Sequence, residues 1–151
     1  MTNPPPQIGK DMSESAVESV LASHHTGVVS LGVGNKGFGF PISYTYDQEN
    51  RRLLLGLVTP SESKKREFAS GTEEATFTVY TYEDADSWQS VTVTGPIRHI
   101  DGDDPALHVP GLFFRHVTDD SGEGRMVDLD EFDRTWYELQ IETLSGRHSD
   151  P

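Results

Sequence analysis

The run Lys64-Lys65-Arg66 is the only stretch of three consecutive basic residues in the chain, and it directly follows Thr59-Pro60-Ser61-Glu62-Ser63. The position of Pro60 predicts that a helix begins here, with Ser61 or Ser63 as its N-cap. A helix N-terminus carries partial positive charge, so lysines in the first turn are unfavourable unless an anion is bound. Free N–H groups, hydroxyls and lysines could converge on a phosphate. The alternative interpretation is a solvated basic patch.

A second candidate binding feature is the segment from Gly37 to Tyr46, in which bulky and small residues alternate strictly. In a β-strand this alternation places the bulky residues on one face and the small residues on the other. The bulky face holds Phe38, Phe40, Ile42, Tyr44 and Tyr46, and the small face holds Gly37, Gly39, Pro41, Ser43 and Thr45.

Two interpretations of the small face are open. A flat ring could lie against it, because nothing bulky keeps a ligand away from the backbone. The same glycines and proline could instead mark a bend in a barrel strand. In either case Pro41 cannot donate a hydrogen bond to a neighbouring strand, which predicts an interruption or a sheet edge at this position.

Composition restricts the class of function. The chain of 151 residues has a formal net charge of −13, with 25 acidic residues against 12 lysines and arginines. This excess disfavours nucleic acids and anionic membranes, which bind through basic surfaces, and it suggests the hypothesis of a salt-rich cytoplasm.

The absence of cysteine excludes disulfides and thiolate catalysis. No apolar run reaches transmembrane length and no signal-peptide core is present, so we expect a cytoplasmic protein.

Alternating hydrophobicity predicts six strands, at residues 27–33, 37–46, 52–58, 74–82, 88–100 and 132–144. Two short helices are predicted at residues 12–23, with Ser13 as N-cap, and at residues 59–70, with Gly71 as the stop. Short connections between most strands favour a small, mainly antiparallel barrel. Such a barrel fills its interior with side chains, so a ligand must lie outside it or between subunits.

The expected domain covers residues 12–145, between a Pro-rich, disordered tail at 1–11 and a second tail at 146–151. Gly95-Pro96 is predicted to form a bulge in the long fifth strand. Residues 101–131 give no clear pattern, although Gly111 to Phe114 is apolar enough to pack as a helix or loop.

Other chemistries fit the sequence poorly. His24 and His25 are adjacent and share no helix face, and no histidine pair has the four-residue spacing typical of a zinc site, so we expect no metal. The segment Gly32 to Gly37 superficially matches a dinucleotide-binding fingerprint. It lies between two predicted strands without a following helix, which indicates a hairpin instead.

Four blocks of sequence, in this order and spacing, resemble the pyridoxamine 5′-phosphate oxidase-like family, the FMN-binding split barrels. The blocks are Gly37 to Tyr44, Val58-Thr59, Ser63-Lys64-Lys65, and Trp88 to Gly95. The resemblance implies a mainly β fold, a six-stranded antiparallel split β-barrel with flanking short helices. It also implies an FMN cofactor held by twelve residues: Gly39, Phe40, Pro41, Ile42, Ser43, Val58, Thr59, Ser63, Lys64, Lys65, Gln89 and Ser90.

By this resemblance the strand Gly39 to Ser43 runs along the isoalloxazine ring and binds its polar edge through the backbone. The turn hydroxyl of Thr59 and the basic pair hold the FMN phosphate. The family often has Arg-Lys where this chain has two lysines. This chain therefore lacks the arginine guanidinium that could bind the phosphate through two parallel hydrogen bonds. Ser90, with Gln89 beside it, occupies the position of a flavin-contacting residue on the fifth strand, where some members have the longer glutamine.

The resemblance further implies a homodimer with two FMN sites at its interface, and a small-molecule substrate or electron donor. Trp136 could close the site, and the alternative is a structural role within the sheet. The segment Ser145 to Ser149 does not match the substrate-binding C-terminus of true pyridoxamine phosphate oxidases, so oxidation of vitamin B6 is not expected.

The predicted function is therefore a flavoprotein that transfers hydride or electrons, and no catalytic acid or base can be named. The alternatives are a reductase that binds the deazaflavin F420 and a non-catalytic carrier of FMN or haem. F420 has a longer acidic tail, and the scarcity of basic residues favours FMN over it.

Overall fold

The computed structural model describes residues 9–59, 64–100, 116–118, 124–126 and 133–149. These residues form two helices, α1 (Glu14–Ser23) and α2 (Lys64–Gly71), together with ten strands. The strands are β1 (Lys10–Asp11), β2 (Thr26–Val33), β3 (Lys36–Asp47), β4 (Arg52–Thr59), β5 (Glu74–Asp84), β6 (Ser87–Ile100), β7 (His116–Thr118), β8 (Gly124–Met126), β9 (Asp133–Gln140) and β10 (Thr143–His148).

The main sheet is antiparallel and curls into a ring. Its strand order is β1-β10-β6-β5-β2-β3-β4-β9, and an additional pairing between β6 and β9 closes the ring. The sheet therefore has eight strands and not the six that were predicted, because β1 and β10 extend it beyond the ring. The mainly β split-barrel prediction is confirmed, and β7 pairs with β8 as a separate two-stranded sheet.

The predicted last strand, residues 132–144, is in fact two strands. β9 pairs with β4 and β6, whereas β10 pairs with β6 and β1. Residues 146–148, which were assigned to a tail, lie in β10, and Lys10-Asp11 forms β1 against its end. The folded domain thus extends beyond both predicted boundaries.

The two predicted helices are present with changed starts. Ser13 caps α1 as predicted, since its hydroxyl accepts from the Ala16 N–H at 3.2 Å. Thr59 is the last residue of β4 rather than the first of a helix, and α2 begins at Lys64. The proposed caps Ser61 and Ser63 lie outside the described residues, as does the apolar segment Gly111 to Phe114. No helix within the described ranges is long and apolar enough to cross a bilayer.

The ring encloses a core that leaves no space for a ligand. The inward faces of its strands carry fully buried side chains such as Leu53, Phe77, Val93 and Leu139. A cavity lined by other core residues, among them Leu31, Phe40 and Tyr137, has a volume of only about 10 Å³, roughly that of one water-sized sphere. In the described part of the chain the interior is therefore filled, as the size argument predicted, and a ligand would have to bind outside the ring.

Helix α1 is joined to the barrel by apolar packing and by one buried hydroxyl. Val17, Val20 and Leu21 face the core. The phenol of Tyr44 on β3 donates to the carbonyl of Leu21 at 2.7 Å. Burial raises the pKa of Tyr44 well above its ordinary value, so this hydroxyl keeps its proton and its hydrogen bond.

Buried charges fix the β3–β4 hairpin against β9. The Arg52 guanidinium donates to Glu138 at 2.6 Å and to Asp47 at 2.9 Å, and Arg98 also pairs with Glu138. Burial opposes ionisation of Asp47, but hydrogen bonds from Asn50 and Arg52 outweigh it and lower the pKa of this carboxyl. Glu138 is only 3% exposed, so its charge depends on both arginines.

The long strand β6 changes partners at Gly95-Pro96. The bulge predicted there is absent from its pairing with β5, which stays in register through both residues and shifts only between Tyr82 and Asp84. Residues 89–94 pair with β10, and residues 97–100 pair with β9. The bend needs a residue without a side chain, because a Cβ at position 95 would lie 1.6 Å from the carbonyl oxygen of Gln140. Gly95 therefore allows the crossing of β6 over the turn between β9 and β10.

We predict that Gly95→Ala is strongly destabilising, because the backbone of Gln140 must move to admit the methyl group. The free energy of unfolding should fall by about 3 kcal/mol, and the urea midpoint by roughly 1 M or more. Gly32→Ala is the matched control, since a Cβ there would come no closer than 3.7 Å to its nearest neighbour. Equal midpoints for the two variants would contradict this role of Gly95.

Candidate functional site

The ring is open between β3 and β4. Residues 36–43 of β3 pair with β2, and only residues 44–47 pair with β4. β4 in turn pairs with β9 along its whole length but with β3 only at residues 52–55. In the described part of the chain, the facing edges of residues 36–43 and 56–59 therefore have no strand partner. We call this gap the β3–β4 opening.

The predicted ring-binding strand forms one side of the β3–β4 opening. Gly39 and Pro41 are exposed, Ser43 is half-buried, and Phe40 and Tyr44 are buried on the opposite face. This confirms the predicted alternation of a small outer and a bulky inner face. Pro41 lies where an edge was predicted, and the backbone groups along that edge are free of strand pairing on one side.

The other side of the β3–β4 opening is the end of β4. Val58 and Thr59 are in register with Arg134 and Asp133 of β9. One edge of their backbone is thus paired with β9 while the other borders the opening, and α2 begins after four intervening residues. The structure does not describe Ser63 or the side chains of Val58 and Thr59, so the hydroxyl contacts predicted for them stay predictions.

Both lysines of the basic run reach β3. The Nζ atom of Lys64 lies 4.7 Å from the centroid of the Phe38 ring, and that of Lys65 lies 4.9 Å from the centroid of the Phe40 ring. Phe38 also packs on Phe68 of α2, with centroids 5.5 Å apart. Helix α2 thus holds the two ammonium groups at the rim of the opening, against the bulky face of β3 and not its small face.

The strand predicted as the fifth, residues 88–100, corresponds to β6. Its predicted flavin-contacting residues, Gln89 and Ser90, do not lie beside the basic pair. Ser90 is in register with Tyr80 of β5 and with Arg147 of β10. Two strands, β5 and β2, separate β6 from β3 in the sheet, a distance of about 14 Å at the usual strand spacing. Within one chain the fold therefore brings the basic pair to Gly39–Ser43 but leaves Gln89 and Ser90 apart from them.

A feature that the sequence analysis missed surrounds Gln89 and Ser90. It is an open cleft of about 590 Å³ lined by Tyr80, Thr81, Tyr82, Ala85, Trp88, Gln89 and Ser90, which we call the tyrosine cleft. Tyr82 and Trp88 are cross-strand partners, so both rings lie on one face of the β5–β6 hairpin. The alternation of aromatic and threonine residues on β5 was visible, but only the hairpin register places them beside Trp88.

Other candidates have structural roles. Trp136 is buried on β9 with 6% exposure. The Nδ1 atom of His24 lies 2.9 Å from the Val20 carbonyl at the end of α1. Among the described residues no group of three potential metal ligands occurs. The segment Gly32–Gly37 is the β2–β3 hairpin, with Gly34 at a φ of 61° in its turn.

Comparison with known proteins identifies the family. The family model described as pyridoxamine 5′-phosphate oxidase matches residues 13–148, and the chain therefore belongs to this family. The match covers the whole ring, β10 and both helices. A comparison with curated protein sequences finds no match.

Solved structures share the fold over nearly the full chain. The FAD binding protein from Mycobacterium smegmatis has 20% identity and a TM-score of 0.63, with 93% of this chain and 98% of that chain covered. An FAD-binding protein from Mesorhizobium loti has 15% identity and a TM-score of 0.67, with coverage of 95% and 98%. The flavocytochrome Anf3 from Azotobacter vinelandii has 14% identity and a TM-score of 0.59, with 92% and 68% covered.

Proposed function

We propose that the protein is a flavoprotein that binds FMN at the β3–β4 opening and acts as an oxidoreductase on a small molecule. The observation that carries the proposal is that Lys64 and Lys65 lie over the Phe38 and Phe40 rings of β3, the strand whose residues 39–43 lack a strand partner on one edge. A flavin ring needs hydrogen-bond partners along its polar edge, and its phosphate needs cations. The bound flavin supplies hydride and electron transfer, and the protein supplies position and electrostatics.

The free backbone edge suits the ring of a flavin. Backbone N–H and C=O groups that lack a strand partner bind water unless a ligand replaces it. Gly39 and Pro41 leave the outer face of β3 clear, so a flat ring can approach this edge closely. The donors and acceptors of residues 39–43 would then orient the ring without any side-chain contact.

The lysines must turn from the phenylalanine rings to reach a phosphate. A cation–π contact at an exposed site contributes about 0.5–1 kcal/mol. A charge-assisted hydrogen bond to phosphate contributes about 1.5–3 kcal/mol. The phosphate therefore competes successfully for both ammonium groups, and the aromatic contacts keep the lysines at the opening until it binds.

The choice of nucleotide follows from charge. FMN carries one phosphate, which two lysines can neutralise, and the chain offers little further basic surface for the longer acidic tail of F420. FAD is the alternative, because two of the structural relatives are described as FAD-binding. Mass spectrometry of the ligand released from the purified protein distinguishes all three.

The separation of Gln89 and Ser90 from the lysines favours a site shared by two chains. We propose that these residues reach the flavin held by a second copy in a homodimer. The filled interior in the described part of the chain supports this arrangement, since a cofactor that does not fit inside the barrel can be enclosed between subunits. A carrier without turnover is the alternative function, and oxidation of NAD(P)H with an added acceptor tests for catalysis.

Removing one cation should weaken cofactor binding. Lys65→Ala is expected to raise the dissociation constant for FMN about ten- to hundredfold, because one charge-assisted hydrogen bond is lost. Fluorescence titration of flavin-free protein measures this. Lys10→Ala is the control, as it removes the same charge from an exposed position of β1, a strand outside the ring. Equal affinities for both variants, each folded, would refute the assignment of Lys65.

Blocking the small face should exclude the ring. Ser43→Leu adds a bulky side chain where β3 leaves β2 for β4, and we expect the purified variant to be folded but colourless. Ser145→Leu makes the same change on an exposed position of β10 and should keep the flavin. Full flavin occupancy in the Ser43 variant, measured from the absorption spectrum, would mean that the ring lies elsewhere.

The proposed dimer should bury more than about 1,200 Å² in total, as stable associations usually do. With a net charge of −13 on each chain, repulsion opposes association most at low ionic strength. Dimer formation and flavin retention should therefore increase together as salt is added. Analytical ultracentrifugation at several salt concentrations measures both, and a monomer that keeps its flavin throughout would disprove the shared site.

A further inference from the structure

The tyrosine cleft exposes more aromatic surface than folding alone explains. Tyr80 and Tyr82 are 63% and 65% exposed, although both lie in regular strand. Trp88 stands opposite Tyr82 and is half-buried. Aromatic side chains left partly in water lose the free energy that burial would give them, so such a cluster marks a surface that a second molecule covers.

The lining of the tyrosine cleft fits a small planar molecule. Its volume of about 590 Å³ lies in the range of roughly 300–1,000 Å³ typical of ligand pockets. The three aromatic rings provide stacking surface, while the hydroxyl of Ser90, the cross-strand partner of Tyr80, provides a hydrogen-bonding group on the same face. None of the lining side chains carries a charge.

The surroundings of the cleft are acidic. Glu83, Asp84 and Asp86 are exposed at the turn that joins β5 to β6, directly beside the tyrosines. Arg147, across from Ser90, is engaged by Asp11 at 2.6 Å. The local potential is therefore negative, and it repels an anionic ligand while it tolerates or attracts a neutral or cationic one.

We propose that the tyrosine cleft is a binding site for an uncharged or cationic planar aromatic molecule, and that it discriminates against anionic ones. The assignment of this molecule as the reaction partner of the flavin rests on the proposed function. In the proposed dimer Gln89 and Ser90 face the flavin of the other copy, so a molecule stacked on Tyr80 and Tyr82 lies beside that flavin.

Calorimetric titration with a matched pair of probes tests the site. Menadione is a neutral bicyclic quinone, and 1,4-naphthoquinone-2-sulfonate has a similar ring system with a negative charge. The absence of cysteine means that no thiol can react with either quinone. At low ionic strength we expect menadione to bind at least tenfold more tightly than the sulfonate. Equal or tighter binding of the sulfonate would overturn the proposal.

Substitution of the two tyrosines tests whether menadione binds in the tyrosine cleft. Tyr80→Ala and Tyr82→Ala should each weaken menadione binding about tenfold, since each removes one stacking ring. Both positions are largely exposed, so the fold should tolerate the change. Val33→Ala removes exposed apolar surface outside the cleft and should have no effect. Unchanged menadione affinity in both tyrosine variants would overturn the proposal, whether or not the substitutions also change the oligomeric state.

Charge variants test the basis of selectivity. Replacing Glu83 by Gln and Asp86 by Asn together should narrow the difference in affinity between the two probes at least threefold at low salt. The difference should be unchanged by Lys36→Ala, which alters charge away from the cleft. A preference for menadione that survives the double substitution unaltered would refute the electrostatic argument.

The Lys65→Ala variant separates this inference from the proposed function. It should lose affinity for FMN and keep its affinity for menadione, because the cleft belongs to a different part of the sheet. If the wild-type protein binds no flavin but binds menadione through Tyr82, the ligand site stands and the proposed flavin chemistry fails. If the wild-type protein binds flavin but not menadione, the cleft proposal fails alone.

Discussion

The architecture depends on how backbone hydrogen bonds are satisfied around a ring of strands. Two long strands change partners along their length: β3 pairs first with β2 and then with β4, and β6 pairs with β10 and then with β9. The change of partners along β6 closes the ring, whereas the change of partners along β3 leaves a gap between β3 and β4. Since unpaired backbone groups need a partner, the open side is where this fold can bind a ligand without disturbing its core.

The packed interior and the open edge have complementary consequences. Inward side chains such as Phe77 and Leu139 fill the ring, so the core contributes stability but no binding space. The buried pair of Arg52 and Glu138 then holds β3, β4 and β9 at fixed positions. A rigid rim would suit the proposed cofactor binding, because the free backbone edge would already be in place before a flat ring binds.

The β3–β4 opening and the tyrosine cleft carry charges of opposite sign. The chain is strongly acidic, yet α2 places two lysines at the β3–β4 opening, where phenylalanine rings hold them. The tyrosine cleft has the opposite character, with aromatic walls and carboxylates at its edge. A phosphorylated cofactor and an uncharged aromatic molecule would thus be directed to different places by simple electrostatics.

Local periodicity alone determined a large part of this structure. The alternation over residues 37–46 correctly predicted which face of β3 is small, and a strand was correctly predicted at residues 52–58. Ser13 and the Gly34 hairpin were also recognisable, because each is governed by neighbours close in sequence. The basic pair and the small strand were found as separate features by the same means.

Only the tertiary structure decided which of these features meet. Alternation continues from β9 into β10, since Ile141 stays buried across the turn, so no local signal separates the two strands. The turn exists because Gly95 admits the backbone of Gln140, a contact between residues distant in sequence. Strand order likewise brings Lys64 and Lys65 to β3 and carries Gln89 and Ser90 away from it. Pairing between distant strands depends on the packing of the whole ring, which a period of two residues does not encode.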